Sequence, residues 1–167
     1  MNRILIYLST IFLLLLSCNE KSTQVDESFY LSYSYSTEID YIDIQIQNLK
    51  LTYTYVDKEK IKNRCAKWIK QSPCWTSEDF ITLNLELSKK ELVECKKVAE
   101  QNNIFDLNNY YGPPSGERCY AKTLIVKINN KEKQIIHCSS PKNETAPEAF
   151  NNVINKINEL INQKTKK

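Results

Sequence analysis

Residues 42–55 read Ile42-Asp43-Ile44-Gln45-Ile46-Gln47-Asn48-Leu49-Lys50-Leu51-Thr52-Tyr53-Thr54-Tyr55. Apolar residues alternate with polar ones on both sides of Gln47-Asn48. Successive side chains of a strand point to opposite faces, so this alternation marks two half-buried strands. A two-residue turn at Gln47-Asn48, with Asn48 suited to a positive φ, pairs Ile46 with Leu49, Ile44 with Leu51 and Ile42 with Tyr53. Every apolar residue then lies on one face, and a one-residue slip would undo that. A sheet with one apolar face follows, and something must cover it.

The same period extends outward. Phe29, Leu31, Tyr33 and Tyr35 alternate with Tyr30, Ser32, Ser34 and Ser36; Ile81, Leu83, Leu85 and Leu87 alternate with Thr82, Asn84 and Glu86. Ser88-Lys-Lys-Glu91 then spells a capping box, in which serine and glutamate satisfy each other's backbone donors at a helix start. The helix it opens carries Leu92, Cys95, Val98 and Ala99 inward and ends near Asn102-Asn103. Tyr110 to Gly116 holds both glycines of the chain and reads as a rigid loop. Tyr120–Ile128 and Lys133–Ser139 form a second hairpin about Asn129-Asn130. Thr145-Ala-Pro-Glu148 spells a second capping box, before the helical stripe Phe150, Val153, Ile154, Ile157, Leu160 and Ile161. The expected fold is α+β: an antiparallel sheet of about six strands with two helices on one face, in the order ββββαββα. This layout of strands, capped helix, hairpin and terminal helix resembles small bacterial protease inhibitors of the emfourin type.

The N-terminus has a different character. Arg3 precedes the apolar run Ile4–Leu16, whose 13 residues are too few to span a bilayer comfortably, which takes about 20. Leu15-Leu16-Ser17-Cys18 follows and resembles the lipobox of bacterial lipoproteins. That resemblance implies a signal peptide over 1–17, cleaved before Cys18, and lipidation of Cys18 by diacylglycerol and acyl chains. It also implies a place in the cell envelope, with the membrane as partner through the lipid. Asn19 after the cysteine disfavours inner-membrane retention by resemblance to enterobacterial lipoproteins, which points to the outer membrane. Residues 18–27 read as a polar tether. A single globular domain over 28–164 is expected.

Composition narrows the function. The chain holds 23 Lys+Arg against 20 Asp+Glu, and loss of Arg3 leaves it nearly neutral, which argues against nucleic acid as a partner. Five cysteines follow Cys18, with no Cys-x-x-Cys among them and a single histidine, His137. In an oxidising envelope two disulfides are expected, Cys65–Cys74 and Cys119–Cys138, with Cys95 left over; Cys95, on the helix, is the competing partner for Cys119 or Cys138. Cys119 lies diagonal to Cys138 across the expected hairpin, so that pair needs a local departure from strand geometry. No metal site or cofactor is expected. His137 and Cys138 are neighbours on a strand and point to opposite faces, so they cannot act together. Asp40, Asp43, Glu78, Asp79 and Glu117 show no paired spacing of the kind hydrolytic chemistry needs.

Residues 57–78 break the alternation. Lys58, Lys60, Lys62, Arg64, Lys67 and Lys70 fall close together, and both tryptophans, Trp68 and Trp75, share the stretch. Tryptophan and arginine are enriched where interfaces gain most of their energy. A Cys65–Cys74 bridge would reduce the ordering cost of binding. Arg64, Lys67, Trp68, Lys70 and Trp75 are therefore the candidate binding residues, facing an acidic partner. The competing reading is a solvated loop or short helix whose tryptophans pack on the sheet. The chain is expected to be a non-catalytic envelope binding module of inhibitor, immunity or assembly-accessory type, with a protein partner. An envelope hydrolase is the alternative.

Overall fold

The hairpin around residue 48 lies inside a seven-stranded sheet. The structure is a computed structural model describing residues 29–114, 118–139 and 145–166. Cys18, the leader and the tether lie outside the described residues.

The strands are β1 (Phe29–Ser36), β2 (Tyr41–Gln47), β3 (Lys50–Val56), β4 (Phe80–Glu86), β5 (Tyr110–Tyr111), β6 (Tyr120–Ile128) and β7 (Lys131–Ser139). Among the described residues three α-helices accompany them: α1 (Lys58–Cys65), α2 (Lys89–Gln101) and α3 (Glu148–Thr165). The strand order is β4-β3-β2-β1-β6-β7-β5. The first four strands form a meander, α2 crosses the sheet, and β6 returns antiparallel to β1.

The α+β class, with α2 and α3 on one face, is as expected; the details differ in four places. The β2–β3 turn sits at Asn48–Leu49, not Gln47–Asn48, so Ile46 pairs with Leu51, Ile44 with Tyr53 and Ile42 with Tyr55. Both turn residues have positive φ, 50° and 62°, as a type I′ turn requires. The shift is two residues, so each side chain keeps its face and the hydrophobic pattern could not distinguish the registers. A seventh strand, β5, pairs parallel to β7 within the expected rigid loop. Gly112 follows it because a Cβ there would meet the Cys138 Cβ at 2.6 Å. A third helix, α1, starts at Asp57, whose carboxylate accepts from the Glu59 and Lys60 N–H groups. Finally, α3 begins at Glu148 with Pro147 as its cap, and the Thr145 capping box does not form. Proline keeps the residue before it out of helical conformation, so the helix cannot start upstream of Pro147.

The Ser88 capping box is present: the Ser88 N–H donates to Glu91 at 2.7 Å, and Ser88 Oγ accepts from the Glu91 N–H at 3.3 Å. The main core lies between the sheet and α2/α3. It buries Phe29, Leu31, Ile44, Ile46, Leu51, Leu124, Val126, Ile135, Phe150 and Ile157, among others. Tyr33 is buried within it, edge-on to Phe150 at 6.5 Å, and burial pushes its hydroxyl up to about 12. Each large aliphatic or aromatic side chain so buried contributes about 1.5–3 kcal/mol.

A second, smaller core lies on the opposite face, at the corner where β2 begins and β3 ends. Val56, Ile61 and Cys74 are buried there, with Tyr41, Trp75 and Phe80 packed around them. The register explains why: Val56 faces Phe80 across β3–β4, on the face away from α2 and α3. The 57–79 segment covers this corner.

Candidate functional site

Both expected disulfides are formed, Cys65–Cys74 with Cα atoms 5.8 Å apart and Cys119–Cys138 with Cα atoms 5.4 Å apart. Cys119 precedes the first residue of β6, so it is free of the ladder and the diagonal offset is absorbed outside the strand. Cys95 is free and buried on α2; burial pushes its thiol up to about 12, far from a nucleophile's range.

The candidate binding residues divide in two. Arg64 and Trp75 are tied to the fold, although the Arg64 side chain stays 46% exposed. The Arg64 Nε donates to the Cys74 carbonyl at 2.9 Å, and its Nη2 pairs with the Asp79 carboxylate. Asp79 is buried and also accepts from the Thr76 N–H at 2.8 Å and the Thr76 hydroxyl at 3.1 Å. The Thr76 N–H chiefly, against the opposing effect of burial and helped by Arg64, holds this carboxyl below its ordinary range. Trp75 packs against the stacked rings of Tyr41 and Phe80, each 5.2 Å away, and its indole N–H donates to the Thr37 carbonyl at 3.0 Å. These two residues fasten the segment to the sheet.

Lys67 and Lys70 face outward, and Trp68 rests against the second core with part of its ring exposed. The Trp68 ring is half-buried, its N–H donates to the Ser72 carbonyl at 2.7 Å, and Lys70 Nζ lies 5.2 Å from the ring centroid. Between them Ile69 is 94% exposed. Most of the other basic side chains are matched: Lys58 with Asp40 at 2.8 Å, Lys62 with Glu59 at 3.5 Å, and Lys60 with Asp79 at 3.9 Å. Asp40, Glu59 and Asp79, the last shared by Lys60 and Arg64, thus offset part of the local positive charge, and the unusual property of the surface is its exposed apolar area.

That area belongs to a groove of about 500 Å³ whose walls come from three parts of the chain. One wall is the Trp68–Gln71 loop. The second is the β1–β2 turn, Thr37–Asp40, where Ile39 is 53% exposed. The third is Arg118 with Tyr120 at the start of β6. The walls are tied together: the Cys74 N–H donates to the Glu38 carbonyl at 2.8 Å, and Tyr120 donates to the Glu38 carboxylate at 2.7 Å while Arg118 pairs with it. Each disulfide braces one wall, Cys65–Cys74 the loop and Cys119–Cys138 the base of Arg118. The groove therefore presents two isoleucines and an indole edge on a pre-ordered frame with ion pairs at its rim. Such a mosaic suits a protein contact, in which an apolar centre carries the energy and a polar rim sets orientation.

Sequence reading found only one wall. Ile39 is the signal it passed over: a lone isoleucine in the polar turn Thr37-Glu-Ile-Asp40, where no strand pattern requires one. No signal in the sequence places Arg118 and Tyr120 beside that turn; the β1–β6 pairing does so.

Among the described residues no group of three or more His, Cys, Asp or Glu side chains could hold a metal ion, and no helix is long and apolar enough to cross a membrane. No protein-family model matches the sequence, and comparison with characterised proteins found no match.

Proposed function

We propose that this chain is an envelope lipoprotein anchored through Cys18, and that its domain is a non-catalytic module binding another envelope or extracellular protein. Its contact surface is the groove framed by Thr37–Asp40, Trp68–Gln71 and Arg118–Tyr120. The observation that carries this reading is the convergence of Ile39 and Ile69, 53% and 94% exposed, on one groove whose walls are cross-braced by disulfides. Isolated exposed apolar residues are ordinary on a protein surface; their clustering on a rigid frame marks an interaction site. Inhibition, immunity and assembly of an envelope complex all need only such a surface and a tether.

The partner expected is a protein offering an apolar side chain to the groove and a carboxylate to Lys70. The test is quantitative co-purification of the full chain from detergent-solubilised envelopes, comparing the parent with an Ile39→Asp/Ile69→Asp variant. Recovery of the partner should fall by about tenfold or more, the equivalent of at least 1.4 kcal/mol. The thermal midpoint should stay close to that of the parent, because both side chains are outside the cores. Equal recovery by a folded variant would remove the groove from consideration.

A further inference from the structure

The groove leaves one conspicuous surface unused, the outer edge of β4. Among the described residues β4 pairs with β3 alone and ends the sheet. The Leu87 N–H donates to Leu49 and the Asp57 N–H to Asp79. Those bonds fix the alternation along the antiparallel ladder. The backbone groups of Ile81, Leu83 and Leu85 point to β3, whereas those of Thr82, Asn84 and Glu86 point outward; the Phe80 N–H already donates to the Ser77 carbonyl, which leaves only its own carbonyl.

Edge strands are normally blunted by lysine, proline, a bulge or short length. Here seven residues, Phe-Ile-Thr-Leu-Asn-Leu-Glu, run in unbroken register with no lysine, arginine or proline and one charge, at the end. The strand's inner face is also only half covered. Ile81 and Leu83 are half-buried and belong to neither core, and they lie beside Tyr55 and Tyr53, whose rings stack at 4.7 Å.

We infer that β4 pairs antiparallel with β4 of a second copy, about a two-fold axis through Leu83. The strand is complementary to itself in that register. The outward groups of Thr82 meet those of Asn84 of the partner subunit as hydrogen-bonded pairs, and the Phe80 carbonyl accepts from the N–H of Glu86 of the partner subunit. Leu83 meets its own symmetry mate, and Ile81 meets Leu85 of the partner subunit. Apolar side chains then face apolar side chains on one face and neutral hydroxyl faces amide on the other. The two Glu86 carboxylates are about 20 Å apart, so no like charges oppose each other. The same two-fold also continues the half-covered apolar strip across the junction. A two-fold interface of this kind is closed and builds no fibre. The groove lies at the 37–40 turn and the 68–71 loop, so neither copy covers its own groove by this pairing.

The test is cysteine cross-linking of the full chain in intact cells, read by non-reducing immunoblot. Leu83→Cys sits on the axis, where facing Cβ atoms are about 4.5–5.5 Å apart, within reach of a disulfide. Ile81→Cys places the two thiols about 14 Å apart and serves as the position control. A homodimer band should appear with Leu83→Cys at least about tenfold more strongly than with Ile81→Cys. Adding Thr82→Lys/Asn84→Lys should abolish it. Co-expression with a Leu83→Cys chain carrying Thr82→Glu/Asn84→Glu should restore a mixed dimer, which separates lost pairing from lost folding. No homodimer with Leu83→Cys, equal linkage at Ile81→Cys, an adduct to a different protein, or a lysine variant that still links would each overturn the inference.

Discussion

Removing the Cys65–Cys74 bridge should melt one corner of the molecule before the rest. The bridge closes a loop of nine residues. Loop-closure entropy for that length is worth about 2.6 kcal/mol at 25 °C. The corner it holds is small: α1 contributes one buried side chain, Ile61, the loop contributes Cys74, and the half-buried Trp75 and the Arg64–Asp79 contact are the other ties. A buried aliphatic side chain gives about 1.5–3 kcal/mol, whereas ordering each backbone residue costs about 1–2 kcal/mol. The bridge is therefore comparable to the whole margin by which the corner is ordered, while the main core does not depend on it. Both tryptophans lie in this segment, so tryptophan fluorescence reports the corner and far-ultraviolet circular dichroism reports the sheet and the two long helices. In urea the parent should show one midpoint by both probes. In a Cys65→Ala/Cys74→Ala variant the fluorescence midpoint should fall by about 1 M or more, with an m of about 1–3 kcal/mol/M. The dichroism midpoint should move much less. Coincident transitions in the variant, or a fluorescence midpoint that does not move, would refute this division into two cores.

Three further outcomes are expected. Although burial opposes ionisation, the Ser88 N–H and Lys164 pull Glu91 down to about 2 from an ordinary 4.5, so the unfolded chain binds more protons below that ordinary value. Stability contributed by Glu91 is full above about pH 4.5 and is lost as pH falls toward 2; Glu91→Gln should flatten the acid limb of a thermal-midpoint titration, and an unchanged limb would contradict this. Cys95 should resist iodoacetamide in the folded chain and react in denaturant, as peptide mapping would show; labelling of the native protein would contradict its burial. Cys18 should incorporate a palmitate analogue in growing cells, and a Cys18→Ala chain that labels equally would remove the anchor from the account.

Much of the fold was legible because it rests on periodicity. The alternation in β1–β4, the Ser88 capping box and the helical stripe of α3 each specify one element and one buried face. What escaped depends on interactions that local pattern does not encode. The β2–β3 register differs by two residues, which leaves every face unchanged, and the positive φ of Leu49 is set by the turn. The two residues of β5 are too few to show a period and form a strand only because β7 offers an edge. In the candidate site the tryptophans and lysines stood out by composition, but Arg64 and Trp75 fasten the segment inward. Ile39 and Arg118 join Trp68 only through the tertiary fold, 29 and 50 positions away from it in sequence.

The most direct test of the binding surface is photo-cross-linking in intact cells, with a benzophenone amino acid placed at position 69 and, separately, at position 163. Ile69 is 94% exposed at the groove, while Gln163 is exposed on α3. The account predicts a discrete adduct of the chain with one other protein from position 69, and none from position 163. It also predicts loss of that adduct when Ile39→Asp is added. No adduct from position 69, or the same adduct from both positions, would contradict it.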